Sequence, residues 1–197
     1  LRAAGYAGLI SIATRKAAVA QAALTAGAGL LNDVSGLTYD PDMPALAAAT
    51  GVPVCVMHAL GDPATMQKDP RYDDVLLDVY DFLAARITAL QAAGVGPNQI
   101  IADPGIGFGK TLDHNLTLLA RLSLFHSLGV PLLLGASRKR FVGTLSGVTA
   151  ADQRVAGSIG VALAGLAHGT QLLRVHDVAQ TRQAIALWRA SMAGRGL

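Results

Sequence analysis

Residues Ile100 to Thr111 read IIADPGIGFGKT: an apolar run ends in Asp103, and three alternating glycines then precede a Lys-Thr pair. The run is apolar throughout rather than alternating, which is typical of a parallel strand buried on both faces. The same order recurs along the chain, as a short apolar run, polar residues at its end, and then a longer segment with helical spacing. This alternation predicts an α/β fold with a parallel sheet.

The pattern predicts six strands and six main helices in one domain, 1–197, without an internal repeat or a linker. The predicted strands are Gly8–Thr14, Gly29–Val34, Val52–His58, Gln99–Asp103, Pro131–Gly135 and Leu172–Asp177. The predicted helices are Lys16–Ala26, Met43–Thr50, Asp73–Ala93, Asn115–Ser127, Ala151–Ala167 and Val178–Ala193.

Polar residues stand at the carboxyl end of nearly every predicted strand. A (β/α)8 barrel builds its site from the loops after all of its strands, whereas a doubly wound sheet uses mainly one crevice. Contributions from so many strands favour the TIM barrel. Six strands are two short of closure and the chain does not begin with Met, so we expect two early βα units to be missing from it.

Composition narrows the function. The chain is 52% hydrophobic and 15% charged, and its net charge of +3 is small. The only tight basic cluster is ASRKR at 136–140, which is too local for a nucleic-acid surface. Cys55 is the only cysteine, so an intramolecular disulfide is excluded. The sequence has no 18-residue apolar stretch or signal peptide, and the expectation is a cytoplasmic protein without membrane partners.

The glycine stretch does not match a nucleotide-binding loop. A Walker A loop needs a glycine six residues before its lysine, and here that position is Pro104, which has no N–H to offer a phosphate. The spacing G-x-G-x-G also fails the dinucleotide pattern. The chemistry is therefore assigned to Asp103, with a tight turn and a helix-capping acid as the alternative interpretation.

Two other strand ends carry candidate residues. Asn32 and Asp33 either form an Asx-type turn or place an amide that can bind a flat heterocycle. Met57 and His58 end the next strand, where a lone histidine is more often structural than a ligand. With no second histidine at metal-ligand spacing, we assign no metal site built by this chain.

Cations gather after the last two predicted strands. Ser137, Arg138 and Lys139 follow a buried strand, with Gly135 just before them. Arg174 and His176 are two apart on one predicted strand and so should face the same side, where barrels often hold phosphate. The alternative for this pair is a salt bridge with Asp177.

Together these residues carry a resemblance. The order and spacing of ISIATRKAAV, LLNDVSG, PVCVMHALGDPATMQKDPRYDDV, ADPGIGFGKTLDHNLTLLARL, PLLLGASRKRFVG, RVAGS and LLRVHDV are similar to those of the dihydropteroate synthases. These folate-pathway enzymes are the sulfonamide targets. The resemblance implies a (β/α)8 barrel that condenses 6-hydroxymethyl-7,8-dihydropterin diphosphate with p-aminobenzoate, with Mg2+ assisting. It also implies a homodimer.

The resemblance further implies roles for ten residues. Asn32, Asp103 and Lys139 would hydrogen-bond the pterin, with Met57 and Phe108 packing around its ring. Arg174 and His176 would take the diphosphate. Ser137 and Lys139, with the stem of Arg138, would border the p-aminobenzoate pocket, and Gly135 is counted with the substrate-binding residues. Asp103, Lys139 and Arg174 are the predicted catalytic residues, and the metal ligand is expected in the missing amino-terminal part.

The chain departs from the family pattern at Ala13, where the family carries a pterin-binding aspartate. A methyl group cannot accept hydrogen bonds, so weaker pterin binding is expected. Two alternatives therefore stay open: a related pterin-dependent methyltransferase, which would have no diphosphate to bind, and a non-catalytic pterin-binding remnant.

Overall fold

The computed structural model describes residues 1–61 and 65–194, and the predicted domain 1–197 also includes 62–64 and 195–197, which lie outside the described residues. The described residues form six parallel strands: β1 (Ser11–Ala13), β2 (Leu30–Asp33), β3 (Val54–Met57), β4 (Ile100–Asp103), β5 (Leu133–Leu134) and β6 (Leu172–Leu173). β1 to β4 form one sheet in chain order, and β5 pairs with β6. A parallel bridge between Ala102 and Leu132 joins the two sheets. The predicted α/β class and parallel order are confirmed.

The helices are α1 (Ala17–Thr25), α2 (Met43–Thr50), α3 (Val75–Ala92), α4 (Leu112–Ala120), α5 (Arg140–Ser146), α6 (Val155–Ala167) and α7 (Val178–Ala193). Their ends follow local chemistry. Asp74 caps α3 by accepting from the amides of Leu76 and Leu77, and Thr111 caps α4 by accepting from that of His114. Among the described helices, none is long and apolar enough to cross a membrane.

Several predicted bounds were wrong. The helix expected over Asn115–Ser127 is α4 followed by a 3-10 segment, Leu122–Leu128, and α5 was not predicted at all. The strands are shorter than predicted. β6 in particular ends at Leu173, although the amide of Arg174 still donates to Leu134 O at 3.0 Å.

Strand alternation separates two apolar layers. The larger lies between the sheet and the helices and includes Leu31, Val54, Ile100 and Leu134. The smaller consists of Leu30, Cys55, Ile101 and Leu133, with Leu172 packed against it. Since side chains two apart on a strand share a face, the smaller layer fills the inner face of the curved sheet. The residues two positions further on sit above it, at the carboxyl ends of the strands.

Candidate active site

A ring of residues lies above the inner apolar layer, at the carboxyl ends of the strands. The residues two positions after the members of that layer are Asn32, Met57, Asp103, Gly135 and Arg174. Ala13 pairs with Asn32 in the register of β1 and β2. All five were predicted as substrate-binding residues. The structure therefore brings together, on one inner face, residues that lie up to 142 positions apart in the sequence.

The centre of this ring is an ion pair. Nη2 of Arg174 lies 2.9 Å from Oδ2 of Asp103, whose side chain is 1% exposed. The other carboxylate oxygen accepts from the amide of Gly105 at 2.8 Å. Asp103 thus forms the tight turn of the alternative interpretation and also pairs with Arg174 at the centre of the ring. Gly105 has φ +69 and a Cβ there would lie 1.8 Å from His58 O, so this turn requires glycine.

Gly135 leaves room for the Arg174 guanidinium. A Cβ at position 135 would lie 2.4 Å from Nη2 of Arg174, the atom that reaches Asp103. Any side chain here would push the guanidinium off the carboxylate. Gly135 therefore acts through Arg174, which its place in the sequence did not reveal.

Two polar atoms in the ring have no hydrogen-bond partner among the described residues. Oδ1 of Asn32 and Nη1 of Arg174 are both buried. A buried polar group left unpaired costs about 1–3 kcal/mol, so such atoms mark positions where a polar ligand can bind. The exposed Ala13 lies beside Asn32 and offers no side-chain partner. Oδ2 of Asp33 is also unpaired, but its Oδ1 is held by the amide and hydroxyl of Ser35, as an Asx-type turn requires.

The segment Ser137–Lys139 forms the next wall of the site. The buried Ser137 hydroxyl receives the His176 amide at 3.2 Å and lies 3.0 Å from Nδ1 of that ring. Nζ of Lys139 lies 3.7 Å from the centroid of the Phe108 ring. Burial, and then the neighbouring Arg174, lower the pKa of Lys139 to about 8. An ammonium with so low a pKa can serve as a cation or as a proton donor near neutral pH.

A cavity of about 580 Å3 opens beside Lys139. Its lining includes Arg138, Lys139 and Arg140 together with Lys110 and Asn115. Asn32, Asp103 and Arg174 are not among the lining residues, so the cavity is a compartment next to the ring rather than the ring itself. Four basic side chains at its wall suit a ligand that carries a carboxylate.

Comparison with known proteins shows the family to which this chain belongs. The family model of the pterin-binding enzymes matches residues 1–176.

The chain belongs to the pterin-binding enzyme family.

A curated relative in this family, the dihydropteroate synthase of Escherichia coli K12, is 40% identical over 186 residues, which cover 94% of this chain. The crystal structure of dihydropteroate synthase from Stenotrophomonas maltophilia is 47% identical, with a TM-score of 0.93 over 97% of this chain and 72% of that one. The Xanthomonas albilineans enzyme in complex with 7,8-dihydropteroate is 44% identical, with a TM-score of 0.90 over 97% of this chain and 70% of that enzyme. The fold is therefore that of the (β/α)8 barrel, and the chain spans 65% of the Escherichia coli relative's length.

Two details of the site differ from prediction. Arg174 was weighed as a salt-bridge partner of Asp177, but Asp177 instead binds Arg138, with Oδ2 3.0 Å from Nε. That pairing lowers the pKa of Asp177 and raises that of Arg138. His176 was placed on the same strand face as Arg174, yet it lies beyond β6. Its contact with Ser137, rather than strand alternation, brings it to the site.

Sequence reasoning missed the buried support of the glycine loop in this family site. Nζ of Lys110 lies 2.9 Å from Nδ1 of His58 and donates to Phe108 O at 3.1 Å. The Asn115 side chain accepts from the amide of Gly107 at 2.6 Å. Lys110, which was given no role from the sequence, thus holds the backbone of Phe108. Burial lowers the pKa of Lys110 to about 7, and burial together with Lys110 lowers that of His58 to about 3.

The described residues contain no group of three or more His, Cys, Asp or Glu side chains that could hold a metal ion. The inward carboxylate, Asp103, is already bonded to Arg174 and to Gly105. The Mg2+ that the resemblance implies therefore does not fit a site built by these side chains.

Proposed function

We propose that this chain forms the pterin-binding part of a dihydropteroate synthase. The reaction joins 6-hydroxymethyl-7,8-dihydropterin diphosphate to p-aminobenzoate and gives 7,8-dihydropteroate and pyrophosphate. The observation that carries the proposal is the ring, in which a buried carboxylate, an unpaired amide oxygen and an arginine meet on one face. The name of the Escherichia coli relative and the product bound to the Xanthomonas albilineans enzyme support it.

The pterin would occupy the ring. Asp103 would accept from the guanidine-like edge of the heterocycle, and Oδ1 of Asn32 would accept from a further N–H. Met57 packs below this edge as the register partner of Asp103, and Phe108 closes the side toward Lys139. Asp103 can bind that edge fully only if Arg174 shifts from it, which frees the guanidinium for an anion.

The diphosphate would lie against Arg174 and His176, and the described residues would act on it by charge. As the C–O bond breaks, its electron pair leaves on the diphosphate, and fixed cations stabilise that negative charge. Positive charge develops on the exocyclic methylene, close to the Asp103 carboxylate. The amine of p-aminobenzoate then supplies the electron pair of the new C–N bond and releases a proton to solvent.

The p-aminobenzoate would enter through the cavity of about 580 Å3, with its carboxylate toward Arg138, Lys139 and Arg140. We further propose Mg2+ as an ion carried by the diphosphate oxygens, and a homodimer as the assembled form. No step of the chemistry above depends on either.

The exposed Ala13 favours one second candidate, a non-catalytic pterin-binding protein, because the ring lacks an acceptor there. The discriminating experiment incubates the protein with the pterin diphosphate, p-aminobenzoate and Mg2+ and measures 7,8-dihydropteroate and pyrophosphate. We expect both products in equal amounts. Pterin binding without product would favour the second candidate, and absence of binding would contradict both. Failure of pyrophosphate to compete with the pterin diphosphate would favour a methyltransferase relative instead.

A further inference from the structure

Arg154, in the segment RVAGS, contacts the backbone of the Ser137–Lys139 wall. Nη1 of Arg154 donates to Arg138 O at 3.1 Å and to Lys139 O at 3.4 Å. Nε donates to Val148 O at 3.0 Å, and Nη2 donates to Thr149 O. One guanidinium therefore binds four backbone carbonyls from two separate loops.

The backbone that Arg154 holds is strained. Arg138 has φ +59, one of three non-glycine residues with positive φ in residues 1–61 and 65–194. A side chain in this left-handed region is disfavoured unless its surroundings enforce it. The amide of Arg138 donates to Oγ of Ser158 at 2.9 Å, and Ser158 in turn donates to Arg154 O at 2.6 Å. The amide and the carbonyl of the strained residue are thus both bound from the start of α6.

We propose that Arg154 is a positioning residue for the active site: with Ser158 it holds Arg138 in the left-handed conformation and so sets where Ser137 and Lys139 stand. This inference rests on the proposed function for its consequence, since Ser137 contacts His176 and Lys139 contacts Phe108. Arg154 lies outside the substrate pocket and acts through the backbone of its neighbours.

Gly143 provides a sharp test. A Cβ at this position in α5 would lie 2.5 Å from Nε of Arg154 and 2.5 Å from Val148 O. Alanine ordinarily stabilises a helix interior relative to glycine. Gly143→Ala should therefore favour the helix α5 itself, while its new methyl group displaces the guanidinium of Arg154. Gly160→Ala is the matched control, because a Cβ at Gly160 in α6 meets nothing within 4 Å.

Two measurements are made on the wild type, Gly143→Ala and Gly160→Ala. Binding of the pterin diphosphate is followed by calorimetry, and Lys139 is titrated by NMR, which is practical because the chain has only four lysines, Lys16, Lys68, Lys110 and Lys139. We expect Gly143→Ala to weaken binding by about ten- to a hundredfold, because a displaced Lys139 would lose its hydrogen bond to the bound pterin. The pKa of Lys139 should move from about 8 toward 10.5 as the side chain leaves its buried place. Gly160→Ala should change neither.

A folded Gly143→Ala protein with wild-type binding and an unshifted Lys139 would overturn the proposal. If Gly143→Ala does not fold, Arg154→Lys and Ser158→Ala test the same contacts, because lysine cannot bind four carbonyls and alanine cannot accept from the Arg138 amide. Each of these should shift Lys139 in the same direction, and an unshifted Lys139 in both would also overturn it. Failure of the wild type to bind the pterin diphosphate would contradict the proposed function, while the Lys139 titration would still decide the role of Arg154.

Discussion

Arg174 and Asp103 are 71 residues apart in the sequence and 2.9 Å apart at the mouth of the barrel, where Nη2 of the arginine meets Oδ2 of the carboxylate. The pair crosses from the end of β6 to the end of β4. It joins the part of the ring assigned to the pterin with the part assigned to the diphosphate. Binding of one part of the substrate therefore changes the charge and hydrogen bonding available to the other part.

Gly135→Ala should separate this pair without removing a charge. The new methyl group would occupy the place of Nη2 of Arg174, since a Cβ at position 135 would lie 2.4 Å from that atom. The displaced guanidinium would no longer be placed to bind the diphosphate, and a hydrogen bond to a charged group contributes about 1.5–3 kcal/mol, so we expect affinity for the pterin diphosphate to fall by about ten- to a hundredfold. Calorimetry checks this, with Gly160→Ala as the control. Unchanged affinity in Gly135→Ala would mean that the position of Arg174 does not matter for binding.

Ala13→Asp should strengthen pterin binding. The side chain would stand beside Asn32 and supply an acceptor for pterin donors that the methyl group leaves unpaired. Satisfying one buried donor is worth about 1–3 kcal/mol, which corresponds to roughly a five- to hundredfold gain in affinity. Ala13→Asn separates the hydrogen bond from the charge and should give a smaller gain. A loss of affinity in Ala13→Asp would show that the ring does not face the pterin as described.

Lys110→Met should change how stability depends on pH. The folded protein releases the Lys110 proton near pH 7, whereas the unfolded chain keeps it until about 10.5. Because the unfolded state then binds more protons, the free energy of unfolding rises with pH across this window. Lys139, with a pKa of about 8, adds a smaller part to the same rise between pH 7 and 8 and more above pH 8.

Urea unfolding at pH 7, 7.5 and 8 tests the Lys110 contribution, which is the larger one in this range. The wild type and a control, Lys68→Met at an exposed lysine, should gain stability over this range, and Lys110→Met should lose most of that gain. The same slope in all three proteins would place the Lys110 pKa near that of a solvated lysine.

Local pattern predicted the parts of this site that strand periodicity controls. The ends of the short apolar strands could be predicted from the sequence, which brought out Asn32, Met57 and Asp103 as candidates, while their binding roles came from the family resemblance. The unpredicted features depend on contacts between distant segments. Nothing near Arg154 in the sequence shows that it contacts the carbonyls of Arg138 and Lys139. The helix α5 was not predicted because it contains Gly143, a glycine that makes room for the side chain of Arg154.

Arg174 and Lys110 show the same limit. The partner of Arg174 was sought in its sequence neighbour Asp177, but tertiary packing gave that carboxylate to Arg138. Lys110 was given no role once the glycine stretch failed to match a phosphate loop, and its burial against His58 depends on β3 and the glycine loop meeting in space.

The most direct test of the account compares two ligands on three proteins. Binding of the pterin diphosphate and of inorganic pyrophosphate is measured by calorimetry for the wild type, Asp103→Asn and Arg174→Ala. We predict that Asp103→Asn lowers the affinity for the pterin diphosphate at least about tenfold, because a charge-assisted hydrogen bond is lost, and leaves the affinity for pyrophosphate unchanged. Arg174→Ala should lower the affinity for both ligands. Equal losses of both ligands in Asp103→Asn, or no binding of the pterin diphosphate to the wild type, would contradict the division of the ring into a pterin part and a diphosphate part.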